Sequence, residues 1–111
     1  MLLRECKTAK DRQRFAIEYH GIECQQRKLV EEVHELNEAI TKYETRREAG
    51  IDADVTEIIT EIADVKNLIE QFQSKYMISN VEVNVEKTRK IDRHFTEMKQ
   101  EIENKRGDLD A

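Results

Sequence analysis

The chain contains no proline and only three glycines in 111 residues, where average usage would supply about five and about eight. That deficit excludes turn-rich folds. A β-sandwich or barrel needs turn residues every 8–12 positions or so, and a loop that cradles phosphate needs clustered glycines so that backbone can approach it. What remains is a chain of long helices. Hydrophobic residues make up 38% and charged residues 39%, the mixture found where each helix carries one apolar stripe and solvates the rest. The expected fold is therefore all-α, a compact bundle of about four helices in a single domain spanning residues 1–111. A chain this short buries only about two-thirds of its unfolded surface, so its core is expected to be completed by oligomerisation.

Apolar spacing places the helices. A charged segment from about Glu5 to His20 ends at Gly21, a helix stop. From Ile22 to about Glu48, Leu29, Val33, Leu36, Ile40 and Tyr43 recur at steps of four and three and line one face of a long helix. Residues 49–53 read as a short loop. Asp54 then serves as an N-cap, with Glu57 three residues later in a capping-box arrangement. The third helix carries Val55, Ile58, Ile59, Ile62, Val65, Ile69, Phe72 and Tyr76 at helical period. Ser79 with Glu82 repeats the capping pattern and opens a fourth helix, Asn80 to about Arg106, whose stripe is thinner. Residues 107–111 are expected to be a disordered tail.

The net charge of −5 is localised. Between Ile51 and Phe72 six acids stand against one base, Lys66, and the remainder of the chain is balanced. An acidic middle does not suit a groove that follows a nucleic-acid polymer; it suits a cation site. No apolar run approaches the roughly 20 residues that span a bilayer, and Met1-Leu2-Leu3-Arg4-Glu5 is too short for a signal-peptide core. A cytoplasmic location with no membrane partner is therefore expected. Cys6 and Cys24 fit no Cys/His metal pattern and read as free thiols.

The second helix contains Glu31-Glu32-Val33-His34-Glu35 and the third Glu61-Ile62-Ala63-Asp64. At about 100° per residue, Glu32 and Glu35 lie about 60° and about 120° from the centre of their helix's apolar stripe, on one side of it. Glu61 and Asp64 flank their own stripe in the same way. If the two stripes pack antiparallel across the short loop, both pairs meet at one edge of the interface. Four carboxylates crowded together disfavour joint ionisation unless a cation intervenes. An oxygen-only donor set favours Mg²⁺, with Mn²⁺ possible, over zinc. The bland alternative is chance: in a chain this charged, acidic i, i+3 pairs arise easily as solvated faces.

Glu31-Glu32-x-x-Glu35 followed by Glu61-x-x-Asp64 resembles the EExxE…ExxD signature of the MazG-like, all-α nucleoside triphosphate pyrophosphohydrolases, relatives of the dimeric dUTPases. Tyr19-His20-Gly21-Ile22-Glu23-Cys24-Gln25 and Ile58-Ile59-Thr60-Glu61-Ile62-Ala63-Asp64-Val65 are also similar to segments of small phage and bacterial members. The resemblance covers about residues 19–93 and departs at Thr60, where many relatives carry an acid. It implies Mg²⁺-dependent hydrolysis of a nucleoside triphosphate to monophosphate and pyrophosphate. By position, Glu32, Glu35, Glu61 and Asp64 would hold the metal, and Glu31 or Glu35 would orient the attacking water.

The same resemblance extends to substrate contacts. Lys87, Lys90 and Arg93, three apart on one helix face, resemble the family's basic helix and would pair with phosphates; they suit surface pairs with Glu86, Asp92 or Glu97 equally well. Gln25 resembles a glutamine near the family's nucleotide pocket, and Asn67, one turn beyond Asp64, could hydrogen-bond sugar or base. A homodimer or homotetramer is expected. Glu31-x-x-His34 has the ExxH spacing of di-iron bundles, but a single copy does not make such a centre, and His34 reads as an exposed helix residue. The competing function is a non-catalytic helical interaction or adaptor module whose acids are surface charge.

Overall fold

A computed structural model of the chain describes the backbone of residues 2–110 and the side chains of residues 2–107. Among the described residues there are four α-helices and no strand: α1 (Ala9–His20), α2 (Ile22–Glu48), α3 (Thr56–Lys75) and α4 (Asn80–Asp110), preceded by one 3-10 turn at Leu3–Glu5. The all-α reading holds. Contacts divide the chain into two units, one holding α1–α3 and ending at Met77, the other holding α4 from Ile78 onward. No helix among the described residues is long and apolar enough to cross a membrane.

Local chemistry sets most of the helix ends. Thr8 and Asp11 form a reciprocal cap, Asp11 N–H donating to Thr8 Oγ1 at 3.0 Å and Thr8 N–H to Asp11 Oδ2 at 3.4 Å. This cap starts α1 at Ala9, later than the expected start near Glu5. Gly21 takes φ +88° between α1 and α2, while its N–H still donates to the Ile17 carbonyl at 2.9 Å. Such a backbone favours glycine and allows the chain to turn within one residue. Gly50, at φ +74°, ends α2, with Gly50 N–H donating to Arg47 O and Ile51 N–H to Arg46 O. That paired pattern satisfies two of the terminal carbonyls.

The other two boundaries differ in how they follow the sequence. Asp54 Oδ1 accepts from Thr56 N–H at 2.9 Å, but α3 begins at Thr56 itself. The cap position is Val55, so Glu57 is the second helical residue and completes no box; Lys42 Nζ reaches it at 3.1 Å. Ser79 and Glu82 do form the reciprocal cap of α4, at 2.9 and 3.1 Å. From there α4 runs on through Gly107 to Asp110 instead of yielding to a tail at 107. Gly107 has no positive φ, and a helical glycine weakens a helix by roughly 1 kcal/mol without stopping it. Ala111 lies outside the described residues.

In the first unit α3 is central, packing against both α1 and α2, which touch each other much less. The buried apolar residues are Ile17, Ala39, Val65 and Leu68, with Ile17 only 1% exposed. On α2 the inward positions are Gln25, Leu29, Glu32, Leu36, Ala39 and Tyr43. This set keeps the four-three spacing but lies one position round from Val33 and Ile40, which are 48% and 42% exposed. The α2 and α3 helices carry apolar residues over more than one face, and packing within this unit covers only one of them. Val33 and Ile40 on α2, with Ile59, Ile62 and Ile69 on α3, are left exposed.

This arrangement separates two isoleucines that the spacing treats alike. In urea unfolding, Ile17→Ala should cost about 2–4 kcal/mol, as a sealed core truncation does. Ile59→Ala, measured at a dilution where the chain is monomeric, should cost under about 1 kcal/mol. Equal losses would contradict the packing described.

Candidate metal centre

Two polar ties align α2 with α3. At one end Gln25 Nε2 donates to Gln71 Oε1 at 2.8 Å, both side chains being buried. At the other, Lys42 Nζ contacts both Glu57 oxygens, at 3.1 and 3.3 Å. The helices therefore run antiparallel, and Glu32 meets Glu61 and Asp64 between the ties. Glu32, Glu61 and Asp64 each place one carboxylate oxygen within 4.8 Å of the others. An octahedral Mg²⁺ sits about 2.1 Å from each oxygen, so opposite ligands lie about 4.2 Å apart. Adjacent ligands lie about 3.0 Å apart, so the three side chains would have to close by more than an ångström to hold one ion.

The electrostatics of the cluster are unresolved by the protein alone. Glu32 is buried and 6% exposed, Glu61 half-buried and Asp64 exposed. Glu32 Oε1 lies 3.1 Å from Lys28 Nζ, but Glu32 Oε2 and Glu61 Oε2 are both buried and accept no hydrogen bond. A buried carboxylate oxygen without a partner carries a substantial desolvation penalty. Burial pushes the Glu61 carboxyl above its usual range, and the charges of Glu35, Asp64 and Glu32 push it further. A proton on Glu61 would also be shared in a hydrogen bond with Glu32. The Lys28 ammonium is held above its own usual range, first by its hydrogen bond to Glu32 and then by the Glu32 charge. A proton or a hard cation relieves such a site.

Three of the four expected metal ligands are thus brought together. Glu35 is exposed and outside the three-oxygen cluster, near enough for its charge to act on Glu61. Glu31 is exposed, and its charge acts on Lys28. Gln25, Asn67 and Gln71 line a cavity of about 440 Å³ together with Lys28, Glu32 and Asp64. In that wall Asn67 Oδ1 accepts from Gln13 Nε2 at 3.2 Å, which ties it to α1. Lys87, Lys90 and Arg93 belong to the α4 unit, where all three are exposed and Arg93 lies 4.0 Å from Glu97. His34 is exposed and pairs with Glu38 at 2.9 Å, and both cysteines are free. Comparison of the chain with protein-family models, curated proteins and solved structures finds no match.

Two residues of the site have no place in the sequence reading. Lys28 is one turn before Glu32, so the i, i+4 pairing rule could have found it. Gln71 carries no such signal, since a lone glutamine on a helix reads as surface until its partner is known.

Crowding at Glu61 has a consequence for stability. Its carboxyl titrates above the ordinary value of 4.5, so across that interval the folded chain keeps a proton that the unfolded chain releases. Stability therefore falls as pH rises through the window. In metal-free buffer at about pH 8, Glu61→Gln should raise the thermal midpoint by a few degrees, and the gain should vanish near pH 4, where Glu61 is neutral in both states. A Glu61→Gln midpoint below that of wild type at about pH 8 would refute the crowding.

Proposed function

We infer that the chain is a Mg²⁺-dependent nucleoside triphosphate pyrophosphohydrolase, with Mn²⁺ able to replace Mg²⁺. The observation that carries this reading is the convergence of Glu32, Glu61 and Asp64 from two helices, with two buried carboxylate oxygens unpartnered. The donors are all oxygens, which suits a hard divalent ion better than zinc or iron. The likeness of Glu31-Glu32-x-x-Glu35 and Glu61-x-x-Asp64 to the MazG-like signature supports the same chemistry.

A bound Mg²⁺ supplies neutralisation of charge on the phosphate oxygens. Glu32, Glu61 and Asp64 would hold it, and the resemblance adds Glu35, whose charge acts on Glu61. Water adds to the α-phosphorus, the bond from that phosphorus to the bridging oxygen breaks, and pyrophosphate leaves with that oxygen. Glu35 or Glu31, both outside the three-oxygen cluster, takes the proton released by the water. The amides of Gln25 and Asn67 offer donors and acceptors to the sugar or base. The substrate is a small nucleotide in the cytoplasm, and neither a nucleic-acid polymer nor a membrane is a partner.

The test is product analysis. With millimolar Mg²⁺ or Mn²⁺, a panel of canonical and modified nucleoside triphosphates should yield monophosphate and pyrophosphate, and Glu61→Gln or Asp64→Asn should lower the rate by about 100-fold or more. No pyrophosphate from any substrate would leave the adaptor reading in its place.

The reading includes a homodimer or homotetramer. Val33 and Ile40 on α2 and Ile59, Ile62 and Ile69 on α3 are exposed, and a second copy would cover them by two-fold symmetry. Light scattering should give the mass of two or four chains, and Ile69→Lys should lower it. A wild-type monomer would overturn the oligomer.

A further inference from the structure

Lys28 stands out among the residues of the cavity because its partnership with Glu32 has one fixed end and one movable end. The Glu32 side chain is 8% exposed and the Lys28 side chain 52% exposed, with Nζ and Oε1 3.1 Å apart. The carboxylate is held by helix packing, whereas the ammonium is a compact charge on a flexible four-carbon stem. Both line the same cavity, whose other walls include the amides of Gln25, Asn67 and Gln71. Among the described lining residues, Lys28 is the one that carries a positive charge throughout the neutral range.

A divalent ion at Glu32, Glu61 and Asp64 changes what Lys28 can do. The ion and the ammonium are alternative counter-charges for Glu32, and two cations a few ångströms apart repel. The stem then swings away from Glu32 without disturbing the fold, because nothing seals it in. Phosphate oxygens joined to the ion would enter the cavity that Lys28 already lines and would present several negative charges there. An ammonium freed from a carboxylate pairs readily with phosphate as a point charge.

Resting on the metal-site reading above, we propose that Lys28 is an exchange cation. It neutralises Glu32 when the metal is absent and moves to a phosphate oxygen of the metal-bound polyphosphate when the metal arrives. The ligand class is therefore a metal-complexed di- or polyphosphate, and the phosphate-binding charge is engaged elsewhere until metal binds. Lys28 is a binding residue in this scheme and takes no part in proton transfer.

Lys28→Met separates this from an ordinary helix-surface pair. Mn²⁺ alone, titrated by electron paramagnetic resonance, should bind the variant several-fold more tightly than wild type, because the competing ammonium is gone. Inorganic pyrophosphate, titrated calorimetrically against the Mn²⁺-loaded protein, should bind it about tenfold more weakly. Lys28→Arg should keep pyrophosphate binding within about threefold of wild type. Lys99→Met, at an exposed position of α4, should shift neither affinity by more than about twofold, which controls for net charge. Unchanged pyrophosphate affinity in Lys28→Met, or weaker Mn²⁺ binding, overturns the exchange and leaves the metal site standing. Absence of Mn²⁺ binding to wild type overturns both.

Discussion

A carboxylate enclosed in a helix interface is the constraint around which the first unit is arranged. Glu32 occupies a position on α2 that an aliphatic residue would fill in an ordinary bundle, and it is nearly sealed from water. Burial of a charge is costly unless geometry and hydrogen bonding compensate it. Here Lys28 compensates one oxygen and nothing in the described structure compensates the other. The opposing helix does not relieve this, since it supplies two further acids. The interface tolerates the conflict because it is pinned elsewhere, by Gln25 to Gln71 at one end and Lys42 to Glu57 at the other. Sliding α2 by one turn along α3 would break both ties at once.

The polar interior and the apolar exterior are two sides of one choice. Positions 32 and 33 are about 100° apart on a helix, as are 39 and 40. Turning Glu32 and Ala39 inward therefore turns Val33 and Ile40 outward. On α3 the same holds for Glu61 and Ile62. Four of the buried side chains are polar, Gln25, Glu32, Gln71 and Ser74, and Arg14 on α1 reaches the Ser74 carbonyl at 2.7 Å while pairing with Glu18. Hydrophobic burial alone would favour the opposite rotation. The proposed site and the proposed oligomer are linked for this reason: a second copy that covers the outer face makes the inward carboxylates affordable.

Much of this was legible in the residues, and the failures are instructive. Gly21 marked a helix end because only a positive φ was needed there, and Ser79 with Glu82 marked a start because the cap is closed by two neighbouring side chains. The missed cap at Thr8 is equally local and was hidden by charge on either side of it. Glu57 completes no capping box because the cap of α3 falls at Val55, one residue after Asp54, and its partner Lys42 is fifteen positions away. Glu32, Glu61 and Asp64 were legible as a candidate set from i, i+3 spacing on two helices. Glu35 shares that spacing but lies further round α2, and it stays exposed.

By itself the sequence determined that the chain is helical, roughly where each helix begins and ends, and that acids on α2 and α3 can share a side. These follow from period, capping and backbone freedom, which act over a few residues and need no knowledge of neighbours. Only the tertiary structure decided which face of α2 is buried, that Glu32 goes inside while Val33 does not, and that three oxygens come within 4.8 Å. It also decided that Gln71 answers Gln25. Those outcomes depend on how far each helix is rotated about its own axis and at what register it meets the next, quantities that non-local packing sets.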